Sequence, residues 1–146
     1  MVNWLNEYSK HGHLVYYATY HIVLATRYGR RILKEGIGEY LKISLKIIGR
    51  HYPEMRIFEA KTSENYLHLY ISVSPLVAVN QAISTIRIDT GKALREKFCF
   101  LKRIDASGGI WSPGSLISSV KIKKEVIEKY VEYQKDEDHG QTRFEF

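Results

Sequence analysis

The clearest pattern in the chain is an unbroken alternation over residues 66–73. Leu67, Leu69, Ile71 and Val73 fall on one side of a strand, and Tyr66, His68, Tyr70 and Ser72 on the other. Residues 13–26, rich in Val, Tyr, Ile and Thr, predict a long strand with Tyr17, Thr19, His21 and Val23 on one face. Over 34–52 the period changes to helical: Ile37, Leu41, Leu45, Ile48 and Tyr52 recur at three or four, and Pro53 closes the run. A short strand over 55–62 places Ile57, Glu59 and Lys61 together, and Ser63-Glu64-Asn65 turns it into a hairpin with the 66–73 strand. Residues 77–98 predict a second helix, striped by Val79, Ala82, Ile83, Ile86, Ala93, Leu94 and Phe98. Residues 105–109 read as a flexible loop and 110–114 as a turn with an exposed indole at Trp111. A last strand is expected over 115–122 and a final helix from 123 to about 135.

The order is strand, helix, strand, strand, helix, strand, helix. Its first six elements spell βαββαβ, so we expect an α+β, ferredoxin-like antiparallel sheet. Two helices would cover one face, and an extra C-terminal helix, a ligand or a partner would take the other. Residues 1–12 read as a polar lead-in and 136–146 as a loose polar tail of a single 1–146 domain.

Composition narrows the partners. Lys plus Arg is 22 against 16 acidic residues, a net charge of +6 that favours an anionic partner, nucleic acid first. Arg27, Arg30 and Arg31 around Gly29 form a candidate phosphate contact or a solvated turn, and Lys92 and Arg95 a candidate nucleic-acid track on the second helix. Eleven tyrosines can pack, stack on bases or act as nucleophiles. The single Cys99 excludes an internal disulfide, fits a reducing compartment and, between Phe98 and Phe100, is expected in the core. No apolar run is long enough to span a membrane and no signal-peptide core follows Met1, so a cytoplasmic location is expected.

Two features carry candidate chemistry. His68 stands at the centre of a strand's polar face, with His21 on a second strand; each is a candidate metal ligand or a hydrogen-bonded structural histidine. In the final helix Tyr130 and Gln134 are four apart and point the same way, as a functional pair or as parts of a docking face.

In this order and spacing, the set resembles the single-tyrosine HUH transposases of the small insertion-sequence-200-like elements. The resemblance runs from about Tyr16 to Gln134. It rests on Tyr20-His21-Ile22-Val23, on Arg27-Tyr28-Gly29-Arg30-Arg31, on Tyr66-Leu67-His68-Leu69, on Trp111-Ser112-Pro113 and on the helix 126–134. It implies an enzyme that cuts and rejoins single-stranded DNA through a covalent 5′-phosphotyrosine. Tyr130 would be the nucleophile, His68 and Gln134 ligands of a divalent metal, magnesium or manganese, and the DNA would be hairpins at element ends. It also implies a homodimer in which one subunit's tyrosine helix completes the other's site.

The sequence departs from that pattern at Tyr66, where the family carries the first histidine of a histidine-aliphatic-histidine motif. A phenol is a poor ligand beside an imidazole. The missing ligand would then be a carboxylate, Glu59 or Glu64, with Glu59 favoured; or His21 would help from its strand; or the site is weakened, leaving a single-stranded nucleic-acid-binding module of the same fold. Tyr133, one residue before Gln134, points about a quarter-turn away from it and is the lesser candidate nucleophile.

Overall fold

The computed structural model describes residues 8–105 and 109–140. The expected features that fall on residues 1–7, 106–108 and 141–146 lie outside the described residues. The elements are β1 (Ser9–His11), β2 (Leu14–Tyr16), β3 (Thr19–Ala25), α1 (Gly36–His51), β4 (Met55–Ser63), β5 (Tyr66–Val73), α2 (Val79–Lys97), α3 (Leu101–Asp105), β6 (Leu116–Ser118) and α4 (Lys124–Asp138).

The main sheet is antiparallel in the order β4-β5-β3-β6. With α1 and α2 as the two connecting helices, this is the ferredoxin-like arrangement expected from the sequence. On β5 the apolar positions Leu67, Leu69, Ile71 and Val73 are buried against α1 and α2, joined by Ile22 and Leu24 of β3. Each such side chain, taken fully out of water, contributes about 1.5–3 kcal/mol. Helix α1 meets this core through Leu41, Leu45 and Ile48 and stops at His51. The residue before Pro53 is pushed out of helical geometry, and Tyr52 accordingly adopts φ −119°, ψ 94°.

Several expectations are corrected. The extended run over 13–26 is broken after Tyr16: β2 folds back on β1, through a turn that Gly12 enables at φ +61°, and β3 starts afresh at Thr19. Part of the polar lead-in is thus a strand. The last strand stops at Ser118, whose hydroxyl bonds both the carbonyl and the N–H of Val120 and so replaces the ladder. Trp111 is buried, not exposed, and its indole N–H donates to Thr90 Oγ1 at 3.0 Å. Cys99 is exposed, because α2 ends at Lys97 before the chain turns.

The strand β4 carries a bulge between Ile57 and Glu59. Ile57 pairs with Ile71 and packs against the helical core, while Glu59 pairs with Tyr70 and Lys61 with His68. The expected common face for Ile57, Glu59 and Lys61 is therefore split. The extra residue, Phe58, moves Glu59 and Lys61 to the face that carries His68.

That second face is covered at its two ends. The β1–β2 hairpin is tied to one end by Ser9 Oγ to Ser72 Oγ at 2.9 Å and His11 Nδ1 to Ser74 Oγ at 2.8 Å. Helix α4 covers the other end, burying Ile127 and Val131 against Val23 and Ala25. The middle of the face remains open. Among the described residues no helix is long and apolar enough to cross a membrane.

Candidate functional site

The open middle of the sheet is a cavity of about 210 Å³ lined by His21, Glu59, Lys61, His68, Tyr70 and Lys121. Strand register makes His21 and His68 diagonal neighbours, since His68 pairs with Val23 and His21 with Tyr70. His21 Nδ1 lies 3.3 Å from His68 Nε2, and the His21 ring stacks on Tyr70 at 4.6 Å between centroids. Burial lowers the pKa of both imidazoles; Lys121 adds to this at His21, and His21 adds to it at His68. Burial thus favours the neutral form of both rings, the form that can ligate a metal or accept a proton. Glu59, in the same cavity, is 3.5 Å from the Lys61 ammonium.

The second cluster forms where α4 meets the turn after β3. Tyr130 donates to Gln134 Oε1 at 3.2 Å, and Gln134 Nε2 donates to Asp138 Oδ1 at 3.2 Å, a ladder at successive i, i+4 positions. The Asp138 carboxylate also accepts the Tyr28 backbone N–H at 2.9 Å and the Ser112 hydroxyl, and Arg27 Nη1 lies 3.9 Å away. Tyr28 is held at φ +60°, a left-handed conformation unusual for a bulky residue. Its bond to Asp138 offsets part of that strain. Next to it Gly29, at φ +65°, leaves room for the Lys135 side chain. Arg87, half-buried on α2, donates to the Gly114 carbonyl. The Nε atoms of Arg27 and Arg87 are buried without hydrogen-bond partners. Burial pushes the Tyr130 hydroxyl up to about 12, against a downward pull from Arg87.

Gly114 is required by this packing. A Cβ there would fall on Gln134 Oε1 and lie 3.3 Å from the Tyr130 hydroxyl. Gly114→Ala is expected to displace Gln134 and to lower stability by about 1–3 kcal/mol, read as a lower urea midpoint.

The structure brings His21, His68 and Glu59 into one cavity and Tyr130, Gln134 and Arg27 into another cluster; Tyr130 and Gln134 do not line the cavity of the histidines. The two are nonetheless close in the fold. Tyr130 packs against the cluster of Val23, Ala25, Ile122, Ile127 and Val131, which Tyr66 also borders, and Val23 pairs with His68 across the sheet. Glu64 is exposed in the β4–β5 turn and pairs with Arg31 at 3.7 Å. Arg30 lies over the Tyr28 ring at 5.0 Å, Lys92 is exposed, and Arg95 lines a groove beside Trp111. Tyr133 is exposed. Two residues of the second cluster carried no sequence signal. Asp138 sits in what reads as a polar tail, but α4 extends to include it; Arg87 looks like one of several surface cations.

Among the described residues no group of three or more His, Cys, Asp or Glu side chains is arranged to hold a metal ion. The donor types nevertheless fit a divalent cation in part. Two neutral imidazole nitrogens 3.3 Å apart have a spacing that one ion can bridge, and a carboxylate lines the same cavity.

The comparisons with known proteins agree with this architecture. The family described as "Transposase IS200 like" matches residues 14–134. The transposase for insertion sequence element IS200 of Salmonella typhimurium is 24% identical over 123 residues, covering 82% of this chain and 78% of that protein. Among solved structures, a Deinococcus radiodurans protein assigned as a transposase superposes with a TM-score of 0.73 at 21% identity, over 86% of this chain and 97% of that one. A REP-associated tyrosine transposase bound to a REP hairpin gives a TM-score of 0.50 at 15% identity, over 92% of this chain and 75% of that one. At these identities the two structures speak for the fold. The family match itself spans β2 to Gln134 and takes in every element of both clusters up to that residue, so the chain belongs to the IS200-like transposases.

Proposed function

We propose that this transposase cuts and rejoins single-stranded DNA at insertion-sequence ends through a 5′-phosphotyrosine on Tyr130. The observation that carries the reading is the packing of Tyr130 against the cluster that contains Val23 and Ala25, which Tyr66 also borders. Val23 pairs with His68, and this supports a nucleophile on the same sheet face as that histidine. In the step itself the Tyr130 oxygen attacks phosphorus and the bond from phosphorus to the 3′ oxygen breaks. The phenol loses its proton and the departing 3′ oxygen gains one. Attack by an incoming 3′-hydroxyl reverses the exchange and reseals the strand without an external energy source.

His68, Gln134 and Glu59 would hold a divalent metal, magnesium or manganese, which when bound polarises the scissile phosphate. Gln134 is engaged by Tyr130 and Asp138, so the site is completed by a shift of α4 or by the α4 of a second copy in a homodimer. Docked beside Gln134, the Tyr130 hydroxyl is pushed up to about 12 by burial, which makes its ionisation harder than that of an exposed phenol. The REP-associated transposase was solved with a hairpin, and hairpin recognition at element ends is part of the present proposal.

The substitution of Tyr66 for the family's first histidine favours a second reading, a catalytically weakened or inactive single-strand binding module. One experiment separates the two. Labelled single-stranded DNA carrying an element end is incubated with the protein and manganese, then denatured. The enzyme gives an adduct that survives denaturation, maps to the peptide containing Tyr130 and is lost on chelation. Salt-sensitive binding with no adduct supports the module.

A further inference from the structure

A second surface lies at the opposite edge of the sheet from β6. A groove of about 330 Å³ runs between α1 and the edge strand β4, lined among others by Lys42, Lys46, Arg50, Arg56 and Phe58. Lys42, Lys46 and Arg50 are four residues apart along α1, so their charges form one stripe. Like charges at that spacing repel and disfavour the helix, and among the described residues none of the four cations pairs with a carboxylate. Glu59 lines the groove too, but it is 3.5 Å from Lys61. Four unneutralised cations, in a chain of net charge +6, make this edge a concentrated positive surface.

The groove adjoins the histidine cavity at Glu59, which lines both. A ladder of rings connects them. Arg56 lies over the Phe58 ring at 4.9 Å, Phe58 is 5.3 Å from Tyr70, and Tyr70 stacks on His21 at 4.6 Å. The β4 bulge brings Phe58 to the sheet edge, where it can touch both the groove and the open face. Phe58 is exposed and Tyr70 half-buried. Cations in a row beside exposed rings are what an unpaired nucleic-acid strand requires: phosphates bind the first and bases stack on the second. A duplex would offer phosphates but no free base faces to the rings.

We propose that the α1–β4 groove is a track for single-stranded DNA flanking the reacting phosphate, with bases on Phe58 and Tyr70 and phosphates on Lys42, Lys46, Arg50 and Arg56. The inference rests on the reading that this chain handles single strands, and it adds where the strand runs. It gives the ring ladder and the groove one purpose: the strand passes over Tyr70 and Phe58, rounds the edge at the bulge and leaves along α1.

The test is fluorescence anisotropy with an oligothymidine of about 20 nucleotides across a salt series, on the full chain and its variants. Lys46 and Arg50 are exposed, so Lys46→Gln with Arg50→Gln leaves the fold intact, as a thermal melt will check. The double variant is expected to flatten the slope of log Kd against log salt by about 1.4, two lost single-strand phosphate contacts. Phe58→Ala is expected to weaken binding about tenfold with the salt slope unchanged. A double variant that binds with the wild-type affinity and slope overturns the track while leaving Tyr130 chemistry untouched. So does a wild type that prefers a duplex and is indifferent to Phe58→Ala. A wild type with no affinity for oligothymidine overturns both the track and the single-strand reading. A flattened slope in a protein that forms no covalent adduct supports the track and removes only the catalytic step.

Discussion

Tyr130→Phe is expected to abolish the covalent DNA adduct and to slow strand cleavage by at least about 10⁴-fold, with the fold and noncovalent DNA binding retained. The substitution removes one hydroxyl and its bond to Gln134 Oε1 at 3.2 Å, a loss of about 1 kcal/mol. The ring remains to pack against the cluster of Val23, Ala25, Ile122, Ile127 and Val131. Tyr133→Phe is the internal control, since Tyr133 is exposed and about a quarter-turn from Gln134. An adduct that persists in Tyr130→Phe and vanishes in Tyr133→Phe would transfer the nucleophile's role to the neighbour. The same variant also identifies the docked phenol. An absorbance titration of the wild type should show a tyrosine ionising at about 12 that is missing in Tyr130→Phe. Because that value lies above the ordinary one near 10, docking favours the protonated form. Its contribution is complete below about pH 10 and is lost as pH rises through about 12.

The second large effect is expected at Asp138. Its side chain is 2% exposed and receives bonds from Gln134, Ser112 and the Tyr28 N–H, with Arg27 alongside. Asp138→Ala would leave the Gln134 amide and the Tyr28 N–H without that acceptor and Arg27 without its counter-charge, while the Ser112 hydroxyl would keep the Thr26 carbonyl. We expect a loss of about 3 kcal/mol in urea denaturation. The loss should be concentrated in α4 and the 27–29 turn, seen as faster amide exchange there than in β5. Asp138→Asn retains an acceptor and should recover part of the stability. If Asp138→Ala melts with the wild type and α4 exchanges no faster, the carboxylate is not what anchors the helix.

Regular elements were legible in the sequence wherever one face is buried without interruption. Leu67, Leu69, Ile71 and Val73 gave β5 at its observed bounds, and Leu41, Leu45 and Ile48 gave α1. What escaped depends on partners far away in the chain. Trp111 is inside because Thr90, twenty-one residues earlier, accepts its indole N–H. The polar Asp138 belongs to α4 because the Tyr28 N–H, 110 residues earlier, meets its carboxylate. The break after Tyr16 arises because β2 finds its partner in the preceding residues rather than in the main sheet. For the site, the histidine pair and the Tyr130–Gln134 pair follow from alternation and helical spacing. Their segregation into two clusters could be seen only once Gly114 and Asp138 were in place.

The bulge in β4 has one more consequence. Side chains on a strand swap sides with every residue, so one step within the ladder reverses the side taken by everything beyond it. Deleting Phe58 alone would let Glu59 follow Ile57 directly, still opposite Tyr70, so the carboxylate would keep its side and only the ring would be lost. Deleting Phe58 together with Glu59 would instead set Ala60 opposite Tyr70, aim it at the imidazoles and turn Lys61 toward the greasy layer beneath the helices. This edge of the protein therefore tolerates loss of the one looped-out residue, whereas a further single step in the ladder beyond it must be balanced by a second one nearby.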